Sequence, residues 1–151
     1  SALNRVIRME RESLGETHPQ IADTVQIYAR IYLERGHIDH SIQQMKSSVD
    51  ILRLSLGPSH PRTAHAAQQL AQLYESRRRD QRDMNYAIRF YTEALEGFRA
   101  AYGNQSPLVG ETLNNIAVLQ IQEGAIDVAV GLLSDALTAF EQAKGDNTIL
   151  N

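Results

Sequence analysis

The six residues Leu14-Gly15-Glu16-Thr17-His18-Pro19 return as Leu56-Gly57-Pro58-Ser59-His60-Pro61 and again as Tyr102-Gly103-Asn104-Gln105-Ser106-Pro107, at intervals of 42 and 46 residues. A glycine past a helix end takes the left-handed backbone that stops the helix, and a proline at a first helical position gives up no needed donor. Each corner therefore reads as a helix stop followed by a helix start. His18 and His60 precede two of the prolines and Ser106 precedes the third. That interchange predicts a capping or packing role, because a polar side chain there satisfies exposed helix amides. A fourth glycine, Gly145, lies 42 residues after Gly103.

The spaces between corners hold amphipathic helices. Leu3, Val6, Ile7 and Leu14 predict one over residues 2–14, half a unit corresponding to a second helix whose first helix is missing. Residues 19–56 form the first complete unit, turning at Gly36. Residues 61–102 form the second, with Arg78 in the place of that glycine and a four-residue insertion in the connection 77–83. Residues 107–144 form the third, turning at Gly124, and residues 145–151 read as the start of a degenerate or truncated fourth. Turns of about two residues force the paired helices antiparallel. The chain thus predicts an all-α fold of about seven helices, with no strand-like alternation anywhere. Starting inside a repeat, at Ser1, it reads as a segment of a longer array.

A helical hairpin cannot hide its apolar stripes alone, whereas stacked hairpins bury them in one continuous core. Six small residues fall in register: Ala29, Ala71 and Ala117 after the corner prolines, and Ser41, Ala87 and Ala129 before the corner glycines. These predict close helix approach.

Composition excludes several functions. With no cysteine among 151 residues there is no disulfide, zinc-thiolate site or cysteine nucleophile, which fits a reducing compartment. The net charge of −3 comes from mixed signs along the whole length, so no field favours nucleic acid or an anionic membrane. No stretch is long and apolar enough for a membrane span. No phosphate loop, nucleophile elbow or paired-carboxylate site stands out, so neither catalysis nor a cofactor is expected. His37 and His40 have a spacing that suits a metal on a helix, but no third ligand is in view.

Tyr28-Ala29-Arg30-Ile31-Tyr32, Leu70-Ala71-Gln72-Leu73-Tyr74 and Ile116-Ala117-Val118-Leu119-Gln120 resemble the first-helix signature of tetratricopeptide repeats (TPR). The longer unit and the Leu-Gly-x-x-His-Pro corner make the chain most similar to the kinesin light chain type. The resemblance implies a right-handed α-solenoid of antiparallel helix pairs whose first helices line a concave, peptide-binding groove. By that register the first unit presents Asp23, Gln26, Ile27, Arg30, Leu33 and Glu34. The second presents His65, Gln68, Gln69, Gln72, Glu75 and Ser76, and the third Glu111, Asn114, Asn115, Val118, Ile121 and Gln122. Carboxamides suit the task because each offers donors and an acceptor to a peptide backbone. Asn114 and Asn115 occupy the place where the family has backbone-gripping asparagines.

Asp23, Glu34, Glu75 and Glu111 against Arg30 leave the groove acidic, which predicts a protein or peptide ligand with basic and apolar residues. A secondary surface is Arg77, Arg78, Arg79 and Arg82, which could hold an acidic partner or simply complement a helix end. Tyr86 and Tyr91 nearby read as packing residues. The resemblance further implies a cytoplasmic adaptor, with motor or cytoskeletal cargo as an expectation. Two other readings stay open: self-association through the array ends, and a regulatory TPR segment of a larger multidomain protein.

Overall fold

The computed structural model describes the backbone of residues 1–149 and the side chains of residues 1–145. Among these there are seven helices and no strand: α1 Ala2–Leu14, α2 Pro19–Glu34, α3 Ile38–Leu56, α4 Pro61–Arg77, α5 Gln81–Tyr102, α6 Pro107–Gln122 and α7 Ile126–Ile149. Each helix packs on its neighbours in the chain. The closest pairs are α2 with α3, α4 with α5 and α6 with α7, and the pairs are joined through α3 with α4 and α5 with α6. One core runs through the stack, from Ile21 in α2 to Ala139 in α7.

The corners act as helix punctuation in atomic detail. The Nδ1 atoms of His18 and His60 accept the backbone N–H groups of Gln20 and Arg62 at 3.1 Å, and Ser106 Oγ accepts that of Leu108 at 3.3 Å. Each corner proline occupies the first turn of its helix. The corner glycines depart from the left-handed helical backbone expected of them. Gly15, Gly57 and Gly103 combine φ of 93°, 90° and 85° with ψ of 161°, 162° and 166°. This is positive φ with extended ψ, a region that glycine alone enters without large strain.

Gly145 does not stop its helix, because α7 runs through it to Ile149. The other corners place a proline four residues after the glycine, whereas here Ile149 stands at that place and nothing prevents the helix from continuing. The expected fourth unit over residues 145–151 therefore opens inside α7, and residues 150 and 151 lie outside those described.

The insertion in the second unit is also not a longer loop. α5 starts at Gln81 and gains a turn of helix, with Asp80 as the cap accepting the N–H of Asp83 at 3.2 Å. Arg78 takes the left-handed backbone, φ 41° and ψ 46°, at the place where Gly36 and Gly124 have φ of 79° and 81°. A side chain at this backbone costs about 1–2 kcal/mol, of which glycine returns part to unfolded-chain entropy. Arg78→Gly is thus expected to stabilise the protein by about 0.5–1 kcal/mol, read as a higher urea midpoint at an unchanged slope.

All six small residues in register are at most 1% exposed. Ser41 shows why they are small: its Oγ donates to the Ala29 carbonyl at 2.7 Å, across the α2–α3 contact. A third small position lies three residues after each corner proline. It holds Ala22, Ala64 and Gly110, all buried against the second helix of their own unit.

Candidate binding groove

The first helices α2 and α4 stand apart, and α3 lies between them. The cleft that results has a volume of about 580 Å³ and is lined by Asp23, Gln26, Ile27, Ala29, Arg30 and Leu33 of α2, Ser41 and Met45 of α3, and Gln69, Gln72, Leu73 and Ser76 of α4. Its apolar surface comes from Met45 and Leu73, which are nearly buried, and from Ile27 and Leu33, which are 43% and 44% exposed. Large aliphatic side chains left open beside a buried floor can take an apolar side chain from another molecule.

Eight residues expected on the concave face therefore meet at one site: Asp23, Gln26, Ile27, Arg30, Leu33, Gln69, Gln72 and Ser76. Sequence reasoning missed Ser41 and Met45, because it assigned the groove to first helices alone, and it read Ala29 and Leu73 of those helices as packing residues only. Ser41 had been singled out as a small packing residue, and that smallness is also what opens the floor. The other candidates lie elsewhere. Glu34 is exposed at the end of α2. The His65 ring meets Phe98 edge-on with centroids 4.9 Å apart, and Gln68 is half-buried. Glu111, Val118, Ile121 and Gln122 are exposed on α6, outside this cleft. Asn114 and Asn115 are half-buried, with no side-chain hydrogen bond to any described residue.

The electrostatics differ from a count of bare charges. Asp23 pairs with Arg62 of α4 across the mouth of the cleft. Glu75 Oε2 accepts the Tyr91 hydroxyl at 2.7 Å, and Arg78 stands 3.9 Å from its other oxygen. Burial and the Glu75 carboxylate both push the Tyr91 phenol above its ordinary range, so it stays a neutral donor. Two of the four counted carboxylates thus have cationic partners from outside the counted set. Arg30 has no acidic partner among the described residues, and it is the free charge of the cleft. A basic ligand at this cleft does not follow from the charges as they are paired. Gln26 is also engaged, donating to Ser48 Oγ at 2.8 Å.

The arginine surface is internally neutralised. Arg77 donates to Asp83 through Nε and Nη2 at 3.0 and 2.6 Å and to Asp39 through Nη1 at 3.0 Å. Arg79 pairs with Asp39 at 2.7 Å and Arg82 with Asp80 at 3.1 Å. These arginines hold Asp39, Asp80 and Asp83 below the usual carboxylate range. For Asp80 the backbone N–H of Asp83 is the larger cause. Asp39, between His37 and His40, is committed to this cluster, and no group of three metal-ligating side chains occurs among the described residues. Tyr91 is buried, while Tyr86 is 40% exposed and stacks on Tyr74 at 4.9 Å.

The helix lengths, the corner register and the open concave side are now joined by comparison with known proteins. Residues 78–142 match the tetratricopeptide repeat family model. Over those residues the chain matches tetratricopeptide repeats. Such repeats are in general protein-interaction modules. The TPR-like solenoid fold superposes on the crystal structure of BtubC (BKLC) from P. vanneervenii with a TM-score of 0.75 at 21% identity, covering 92% of this chain and 53% of that one. It also matches kinesin light chain TPR-like repeats from Podosopora anserina, with a TM-score of 0.74 at 20% identity over 94% of this chain and 64% of that one, and a point variant of those repeats at 0.75. The chain spans between about half and two thirds of the length of these structures. No curated protein matches the sequence. No described helix is long and apolar enough to cross a membrane.

Proposed function

We propose that this TPR segment is a non-catalytic adaptor that binds a peptide of a partner protein along its concave side, anchored in the α2/α4 cleft. The observation that carries the reading is the cleft itself, with an apolar floor between carboxamide-bearing walls. One apolar side chain of the ligand fills the space beside Ile27, Leu33, Met45 and Leu73. Gln69 and Gln72 hold its backbone, and Asn114 and Asn115, without a side-chain hydrogen bond to any described residue, continue the path onto α6. Because Asp23 is paired and Arg30 is not, the favoured ligand carries a carboxylate next to its apolar anchor. The likeness to kinesin light chain repeats supports a cytoplasmic adaptor of motor or cytoskeletal cargo.

A pull-down from cell extract, with partners identified by mass spectrometry, tests this beside a Gln69→Ala, Gln72→Ala, Asn114→Ala, Asn115→Ala variant of unchanged helicity. Partners lost by the variant support the groove, and partners fully retained overturn it. Peptides from those partners are expected to bind Arg30→Glu about fivefold more weakly, since an exposed charge pair contributes up to about 1 kcal/mol. The difference should shrink in high salt.

A further inference from the structure

Four residues before each corner glycine, in the last turn of a second helix, stands an arginine: Arg11, Arg53 and Arg99. Two of the three meet carboxylates. Arg11 Nε lies 3.7 Å from Glu16, the residue after its corner glycine, and Arg53 donates to Glu93 of α5 and lies 3.4 Å from Asp50. Arg99 is half-buried and has no ion pair or hydrogen bond to a described residue, and its Nε is enclosed by the protein. An enclosed donor without an acceptor is costly, and nearly all such groups in folded proteins are partnered.

The repeat register accounts for the missing partner. The counterpart of Glu16 at the third corner is Asn104. Seven residues before the next corner glycine, where the earlier units have Asp50 and Glu96, stands Thr138. Ten residues before it, where the second unit has Glu93, stands Asp135, one methylene shorter and without an ion pair to any described residue. These three residues and Arg99 surround a pocket of about 440 Å³, floored by the buried Val109, Leu113 and Ala139. At the same place in the second unit, beside Arg53 and Glu93, the pocket measures about 300 Å³. It is lined by α3, the second corner, α4 and α5 and by no residue of α6 or α7, although both follow. By that register the third-corner pocket is bounded by α5, α6 and α7 alone, whether or not further repeats follow.

We propose that this pocket binds an acidic side chain of a partner protein, its carboxylate on the Arg99 guanidinium as that of Glu93 lies on Arg53. A guanidinium matches a carboxylate in shape as well as charge. Asn104 and Thr138 offer neutral donors where the other corners have carboxylates that would repel the ligand. Asp135 is the one opposing charge in the lining, and it is exposed to screening by solvent and salt. No residue of the pocket belongs to the α2/α4 cleft, so the two sites stand or fall separately.

The probe is N-acetylglutamate amide, titrated into the full chain and followed by NMR at the Arg99 Nε–H resonance and the Asn104 backbone amide. Saturable movement of both is expected, with none from N-acetylglutamine amide. At the Asn104 amide, Arg99→Gln should bind the probe at least about tenfold more weakly, the loss expected for a hydrogen bond between charged groups. Asp135→Glu restores the missing methylene. Its own carboxylate should move the Arg99 resonance before any probe is added and weaken the probe by a similar factor. Asp135→Asn removes the opposing charge and should strengthen binding about threefold. Asp135 is exposed, so unchanged melting of its variants confirms that the fold is intact. Absence of saturation, an equal response to the glutamine analogue, or full affinity in Asp135→Glu overturns the proposal. Tighter binding of inorganic phosphate or succinate than of the blocked glutamate also overturns it, since the pocket would then hold a free small anion.

Discussion

Asp83→Ala is expected to cost about 3–5 kcal/mol and to loosen the joint between the first two repeat units. Asp83 is only 2% exposed, and its carboxylate accepts three hydrogen bonds: two from Arg77 and one from the backbone N–H of Arg79 at 2.9 Å. Arg77 in turn reaches Asp39 of α3 with its remaining amino group. Asp83 therefore orients the arginine that spans two units, and it also satisfies the amide following the strained backbone of Arg78. Removing it leaves a guanidinium that is 19% exposed with half of its partners gone. Leaving one member of a buried pair uncompensated is the costly case. The melting temperature should fall by roughly 10 °C for a chain of this size.

The same cluster sets an acid limit. Arg77 holds the Asp83 carboxyl below its ordinary value in the folded protein, and Asp39 is lowered in the same direction by Arg79 and Arg77. A carboxylate with a depressed folded pKa contributes stability that is complete above its unfolded value of about 4 and is lost as pH falls through the folded value. Urea unfolding followed against pH should show stability falling below about pH 4, with a shallower fall in Asp83→Asn. An equal fall in both proteins would show that other carboxylates carry the acid sensitivity.

Why one part of this molecule is legible in its sequence and another is not follows from the range of the interactions. His18, His60 and Ser106 are read correctly as caps because each contact closes within two residues. Ala29, Ala71 and Ala117 are read correctly as packing residues because the repeat displays the requirement three times. The α5 start was misplaced, because residues 77–83 hold no apolar residue to show a period. The signal lay in polar residues: Asp80 followed three residues later by Asp83 is a cap pattern. The pairing of the groove's charges was out of reach of the sequence for a different reason. Arg62 meets Asp23 and Arg78 meets Glu75 only once the helices are in place, so a count along the first helices omits half of each pair. The cleft was half legible: its walls repeat with the first helices, but its floor belongs to α3.

Gly97→Ala is the second large effect expected, about 2–3 kcal/mol, although it adds one methyl group. Gly97 lies in the interior of α5, where glycine ordinarily weakens a helix and alanine would strengthen it by about 0.5–1 kcal/mol. Packing reverses that sign. A Cβ at this position would stand 2.7 Å from Ala64 Cβ and 3.3 Å from the Pro58 carbonyl oxygen. Neither neighbour is the end of a flexible side chain, so α4 and α5 must move apart. The double substitution Gly97→Ala, Ala64→Gly moves the methyl group from one helix to the other and should recover most of the loss. A coupling of about 1.5 kcal/mol or more in the four-protein urea cycle is the signature of direct contact. Independent addition of the two single effects would show that the helices do not meet there. The consequence reaches the groove, since α4 carries Gln69 and Gln72 and is held in place by this contact. Gly97→Ala should therefore weaken peptide binding at a site it does not touch, and the double variant should restore binding together with stability.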